Sequence, residues 1–224
     1  MLDLFRYETL FEARYIFAVL AALTAVLWIL KRRIGAFPAL VSLGLILFCL
    51  WFFRDPARTV PTNPMAVLSA ADGIVADIVE IDEPTVVKQK MKRVGVFLSV
   101  FDVHVQRAPI AGKVIFTKEF AGEYLDARDP EASSKNAARV WAFRNSQTTV
   151  VVRQLTGLIA RRLVAWSEKD QDLQQGDRFG MIRFGSRVEV YVPVDANITV
   201  KVGDRVEGGI TVIAELKNSS LLGR

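Results

Sequence analysis

The sequence predicts a mainly β protein, a compact domain of the barrel-sandwich kind preceded by an α-helical apolar hairpin. Three observations lead there. Residues 1–53 hold two long apolar runs split by Lys31-Arg32-Arg33. From about Pro64 the texture changes to short β-branched stretches punctuated by glycine, the pattern of strands joined by turns. Near the carboxyl end, the segment from Val200 to Ile210 reads as strand, tight turn, strand. A chain of 224 residues has room for one globular domain plus an extra segment, so the expected division is 1–53 for the hairpin and 54–224 for the β-rich domain.

The apolar runs are Tyr15–Leu30 and Ile34–Phe53. The second is long enough to span a hydrocarbon core, and the first is slightly short without its flanks. A cleaved signal peptide would lack the second run. Trp28, Trp51, Phe52 and Phe53 near the run ends suit the membrane–water interface. The pair either crosses a bilayer twice or sits re-entrant in one leaflet. Lys31-Arg32-Arg33 competes with Arg6, Arg14, Arg54 and Arg58 for the cytoplasmic side, so charge alone leaves the orientation open.

Strands are predicted at Gly73–Val79, Val94–Val100, Gly112–Phe116, Thr148–Val152, Leu158–Trp166 and Val188–Val192. In the last, Val188, Val190 and Val192 alternate with Arg187, Glu189 and Tyr191, which predicts a half-buried strand of period two. Residues 119–147 are polar and read as a long excursion or flap. The pattern Val200-x-x-Gly203-Asp204-x-Val206-x-x-Gly209 resembles the half-repeat of biotinyl- and lipoyl-carrier domains.

The residue inventory narrows the chemistry. His104 is the sole histidine and Cys49 the sole cysteine, which denies the usual zinc ligand sets and any internal disulfide. Neither a phosphate-cradling Gly-x-x-x-x-Gly-Lys loop nor a Gly-x-Gly-x-x-Gly turn is present. The formal net charge of +5 and the clusters Lys88, Lys90, Lys92, Arg93 and Arg161-Arg162 come without a nucleic-acid motif, so an anionic membrane surface suits them better than nucleic acid.

Gly185-Ser186 then stands out, where a turn meets the strand Val188–Val192. Glycine tolerates a strained peptide at low steric cost. The Ser186 hydroxyl can attack the carbonyl of its own preceding peptide bond to form an ester, and elimination converts the new amino terminus into a pyruvoyl group. Alone, a Gly-Ser pair is an ordinary turn. Four islands in order change its meaning: Phe52-Phe53-Arg54-Asp55-Pro56-Ala57-Arg58, Ala70-Ala71-Asp72-Gly73-Ile74-Val75, Phe97 to Pro109 with His104 inside it, and Arg183-Phe184-Gly185-Ser186-Arg187.

Together, from about residue 50 to 215, these islands resemble the phosphatidylserine decarboxylase family in its short bacterial and archaeal form. The resemblance implies self-cleavage between Gly185 and Ser186, with fragments 1–185 and 186–224 staying together as a heterodimer. It implies a covalent pyruvoyl cofactor made from Ser186, with no metal and no pyridoxal phosphate. Asp72 and His104 would help activate the Ser186 hydroxyl. The substrate would be phosphatidylserine in the bilayer, decarboxylated through a Schiff base to phosphatidylethanolamine, with His104 as candidate proton donor. Arg107, Arg183 and Arg187 are candidates for the lipid phosphate. The expected place is the cell membrane, with the catalytic domain on the cytoplasmic side, and a homo-oligomer is compatible with the sequence. Longer family members carry a second histidine where this chain has Arg107, and a Leu-Gly-Ser-Thr-like site where it has Phe184-Gly185-Ser186-Arg187. Archaetidylserine is an alternative substrate. A membrane-tethered carrier module, with Lys90 or Lys92 modified, and a serine hydrolase using Ser186, His104 and Asp72 are the readings from other classes; the second lacks a Gly-x-Ser-x-Gly elbow.

Overall fold

The apolar runs fold as helices in the computed structural model, which describes residues 4–184 and 186–217 (only the backbone at Arg32 and Ile34). Helix α1 is Tyr7–Ile29, a short α2 is Lys31–Ile34, and α3 is Phe37–Phe52. The lengths reverse the expectation. The polar flank from Tyr7 to Arg14 joins the first helix, giving 23 residues, or about 35 Å of axis. Gly35, in the left-handed region at φ 81°, and Pro38 in the first turn of α3 cut the second run to 16 residues. α1 is the one described helix long and apolar enough to cross a membrane, and α3 is shorter. The two pack together, with Thr24 Oγ1 and Ser42 Oγ hydrogen-bonded at 2.7 Å.

The chain divides into two compact units, Met1–Ala57 and Arg58–Arg224. The second is built of three antiparallel sheets. Its strands are β1 (Ala66–Leu68), β2 (Gly73–Asp82), β3 (Lys90–Leu98), β4 (Val105–Arg107), β5 (Gly112–Phe120), β6 (Ala138–Arg144) and β7 (Thr149–Leu155). They continue with β8 (Arg162–Ala165), β9 (Asp172–Leu173), β10 (Arg178–Arg183), β11 (Ser186–Pro193), β12 (Asn197–Ile198), β13 (Arg205–Val206) and β14 (Val212–Glu215). The large sheet runs β13-β2-β3-β11-β7-β6-β5-β9, flanked by β1-β14-β12 and β4-β10-β8. One continuous core of Val75, Val96, Leu98, Trp141, Phe143, Val152, Phe179, Val188 and Val190 fills the space between them.

Four sequence expectations change, one of them Leu158–Trp166, of which only Arg162–Ala165 is strand because Gly157 and Ala160 close a tight turn over Leu158 and Ile159. The strand Val188–Val192 is buried on both faces, because Tyr191 joins a second apolar cluster with Met91, Val140 and Val151 while Arg187 and Glu189 enter a covered ion network. The excursion is shorter than 119–147, since Ala138–Arg144 is strand β6 and buries Trp141 and Phe143. And the segment from Val200 to Ile210 is no hairpin. Its backbone bonds go to β2 instead, with Gly203 N donating to Val75 O at 2.9 Å and Val75 N to Asp204 O at 2.9 Å, so only Arg205–Val206 is strand.

Candidate active site

Ser186 opens β11, which lies between β3 and β7 near the middle of the large sheet. Strand alternation puts Ser186 on the same face as Val188, Val190 and Val192, toward the main core, and Arg187 on the other. Leu98 of β3 faces Ser186 across the ladder. The Ser186 side chain is fully buried, and its Oγ has no hydrogen-bond partner among the described residues. An orphaned buried hydroxyl costs about 1–3 kcal/mol, and Thr117 Oγ1 is the other described hydroxyl in this state.

The approach to Ser186 is strained. Phe184, the first residue after β10, sits at φ 67°, a left-handed conformation that a bulky residue adopts at a cost of about 1–3 kcal/mol. Gly185, predicted as the residue on the other side of the scissile bond, lies outside the described residues.

His104 immediately precedes β4, which pairs with β10, and Ile182 N donates to His104 O at 3.2 Å. The buried histidine is thereby fixed beside the strand end that leads into the Ser186 turn. Its Nδ1 lies 2.9 Å from Asp102 O. A carbonyl can only accept, so Nδ1 carries the proton and Nε2 is the nitrogen able to take one up. Asp102 is braced in turn, its carboxylate accepting from Ser99 N at 2.8 Å, Ser99 Oγ at 2.7 Å and Arg205 Nη2.

Asp72 stands in the turn before β2. Its carboxylate accepts from Arg58 Nη2 at 2.7 Å and from Gly208 N at 2.8 Å. Burial pushes its pKa above the ordinary carboxylate value, outweighing the opposing pull of Arg58 and the Gly208 amide. The His104 ring is bonded at Nδ1 to the Asp102 main chain, while Asp72 anchors the 207–208 turn, where Arg58 also reaches Glu207 at 2.7 Å.

The three arginines separate. Arg187 is committed to the face opposite Ser186, paired with Asp77 and with Glu189 Oε1 at 3.0 Å. Arg107, half-buried, donates to Gly176 O at 3.1 Å. Arg183 ends β10, half-buried, three residues before Ser186.

Sequence reasoning missed a buried amide relay. Trp141 Nε1 donates to Gln154 Oε1 at 2.7 Å, Gln154 Nε2 to Gln106 Oε1 at 2.8 Å, and Gln106 Nε2 to His104 O at 2.8 Å. Gly180 makes room for it, since a Cβ there would lie 3.1 Å from Gln154 Nε2 and collide with Val164 O. The available signal was Gln154 at a position where period two, set by Val150 and Val152, calls for an apolar residue.

Residues 45–214 match the family model described as phosphatidylserine decarboxylase. Several chains named phosphatidylserine decarboxylase proenzyme are similar along most of their length. One from Symbiobacterium thermophilum is 43% identical over 177 residues, 79% of this chain and 82% of that one. One from Carboxydothermus hydrogenoformans is 40% identical over 193 residues, 86% of this chain and 91% of that one. A third, from Saccharopolyspora erythraea, is 41% identical over 202 residues, 88% of this chain and 85% of that one.

Proposed function

The chain belongs to the phosphatidylserine decarboxylase family, and from this membership and the geometry at Ser186 we infer that it is a proenzyme that cuts itself before Ser186 and then decarboxylates phosphatidylserine to phosphatidylethanolamine. The observation that carries the reading is the buried Ser186 Oγ, without a hydrogen-bond partner among the described residues, at the start of a central strand two residues after a left-handed phenylalanine, with His104 bonded through its carbonyl to Ile182 of the strand that leads there.

In self-cleavage, Ser186 Oγ gives up its proton and attacks the Gly185 carbonyl carbon, which moves the acyl group from nitrogen to oxygen. Loss of the Ser186 α-proton expels the Gly185 carboxylate, and water then releases ammonia to leave pyruvoyl at position 186. His104 Nε2 is the acceptor we assign to the hydroxyl proton. Asp72 supports the step by holding the 207–208 turn, and through it the small fragment, against the large one.

The fold suits a chain that stays together once cut. Residues beyond the cut supply β11, hydrogen-bonded to β3 on one side and β7 on the other. They also supply Arg187 to Asp77, Arg205 to Asp102, and the Gly208 amide to Asp72. Position 186 fits a pyruvoyl group: the side chain is enclosed, and its Oγ makes no hydrogen bond among the described residues that conversion would break. Such a group supplies an electrophilic carbonyl that draws electrons from the bond to the departing carbon dioxide. We assign the return of a proton to His104, and the lipid phosphate to Arg183 and Arg107 rather than to Arg187, which is paired with Asp77 and Glu189 on the opposite face. We assign residues 1–53 to membrane attachment at the cell membrane with the β unit on the cytoplasmic side, a reading supported by the apolar α1 and α3. The acyl chains of the substrate would then stay in the bilayer.

The test is a denaturing gel with mass analysis of the purified chain. Two fragments are expected, the smaller beginning at position 186 with a mass fitting a pyruvoyl terminus, and Ser186→Ala should give one intact chain without release of carbon dioxide from phosphatidylserine. Hydroxylamine should inactivate the cut enzyme, and added pyridoxal phosphate should not revive it. Cleavage at the same bond in Ser186→Ala would end the autocatalytic reading.

A further inference from the structure

The β unit carries apolar side chains where a loop should be polar. Leu158, Phe101 and Ile159 are 66%, 65% and 64% exposed, the three most exposed large apolar side chains described in the unit. Leu158 and Ile159 form the tip of a tight turn closed by Gly157 N donating to Ala160 O at 3.1 Å, with Ala160 itself buried. Turn tips in water favour Gly, Asn, Asp and Ser, so two consecutive branched apolar residues there need a cover.

The place of this patch is informative. Leu158 and Ile159 stand on the wall of a cavity of about 290 Å³ together with Leu98, Ser99 and Val100. Leu98 is the residue facing Ser186 across the ladder, and Phe101 directly follows Ser99 and Val100 in the chain. The wall also holds Asp126 and Arg128, ion-paired at 2.6 Å, and further basic side chains follow the tip in sequence. Arg161 and Arg162 follow the apolar tip, both exposed, and the Arg161 guanidinium lies 5.2 Å from the centre of the Tyr124 ring. Apolar tips ringed by arginines are the composition that enters the headgroup region of a bilayer, with the cations at the level of anionic lipid phosphates.

We propose that Phe101, Leu158 and Ile159, with Arg161 and Arg162 next to the tip, form a docking surface that seats the β unit on an anionic bilayer, with the cavity walled by Leu98, the ladder partner of Ser186, turned to the lipid. The proposal rests on the reading that this site acts on phosphatidylserine. A tether raises the local concentration of the unit at the membrane but does not orient it, whereas a patch at the rim presents the site to headgroups.

The experiment compares two substrates with the full chain: long-chain phosphatidylserine in phosphatidylcholine vesicles, and dihexanoyl phosphatidylserine as a monomer in solution. Self-cleavage is followed on gels in parallel. For Phe101→Ser and for Leu158→Ser/Ile159→Ser, the ratio of vesicle to monomer turnover should fall about tenfold, through a higher interfacial KM at little changed kcat. Leu158→Phe/Ile159→Phe should restore it. Arg161→Glu should lower the ratio by a similar factor at low salt and flatten its dependence on ionic strength, and it decides the matter if the serine variants fail to self-cleave. An unchanged ratio in these variants would overturn the proposal, as would equal loss on both substrates, which marks local damage to the site. Loss of self-association with vesicle turnover intact would assign the patch to a second copy and overturn it too. If the unaltered chain decarboxylates neither substrate, it is the decarboxylase reading that fails.

Discussion

Replacing Gln154 by leucine isolates what the buried amide relay contributes. The substitution keeps the volume roughly constant, so no large cavity opens. It removes the acceptor of Trp141 Nε1–H and the donor to Gln106 Oε1, both in fully buried residues. Leaving a buried donor and a buried acceptor unpaired costs about 1–3 kcal/mol each. The leucine recovers about 1 kcal/mol or more through its larger apolar surface. A net loss of about 2–4 kcal/mol is expected, or roughly 5–15 °C in Tm for a domain of this size. The assay is thermal unfolding in detergent micelles on a Ser186→Ala background, so that one covalent chain unfolds. A double-mutant cycle with Gln106→Leu should show coupling of about 1 kcal/mol or more, because the Gln154–Gln106 bond is lost in both single variants. With Ser186 intact, Gln154→Leu should also slow self-cleavage, since Gln106 would no longer be held where it grips His104 O. A Tm change under about 2 °C, or strict additivity in the cycle, would refute the relay.

Two further outcomes follow from the same geometry. Phe184→Gly removes about 1–2 kcal/mol of left-handed backbone strain from the uncut chain and should slow self-cleavage roughly 5- to 30-fold in a gel time course; Phe184→Ala keeps the strain and should stay closer to the unaltered rate, and equal rates for all three chains would detach the strain from the chemistry. Asp72 has a folded pKa above its unfolded value, so its contribution to stability is fully present below the unfolded pKa and is lost as pH rises through the folded one. Urea midpoints of Asp72→Asn should therefore improve relative to the unaltered chain as pH is raised from about 3.5 toward neutrality; movement in the other direction would mean that Arg58 outweighs burial.

The legible parts of this molecule were those that local chemistry fixes. Most of the glycine-bounded β-branched stretches became strands, among them Gly73–Val79, Val94–Leu98 and Val188–Val192. What stayed hidden depends on partners far away in sequence. Glu189 reads as the solvent side of an alternating strand, yet it is fully buried because Ser133, Arg93, Arg153 and Arg187 gather round it from four separate segments. Gln154 reads as a break in a valine pattern, and only the folded sheet supplies Trp141 and Gln106 on either side. These misses share one physical cause. A buried polar group is intelligible only with its partners, and in antiparallel sheets those partners come from strands whose pairing the local pattern does not encode. The same interlocking makes a cut before Ser186 tolerable: the new terminus belongs to a strand gripped on both edges, so chemistry can sever the backbone there without letting go of the fold.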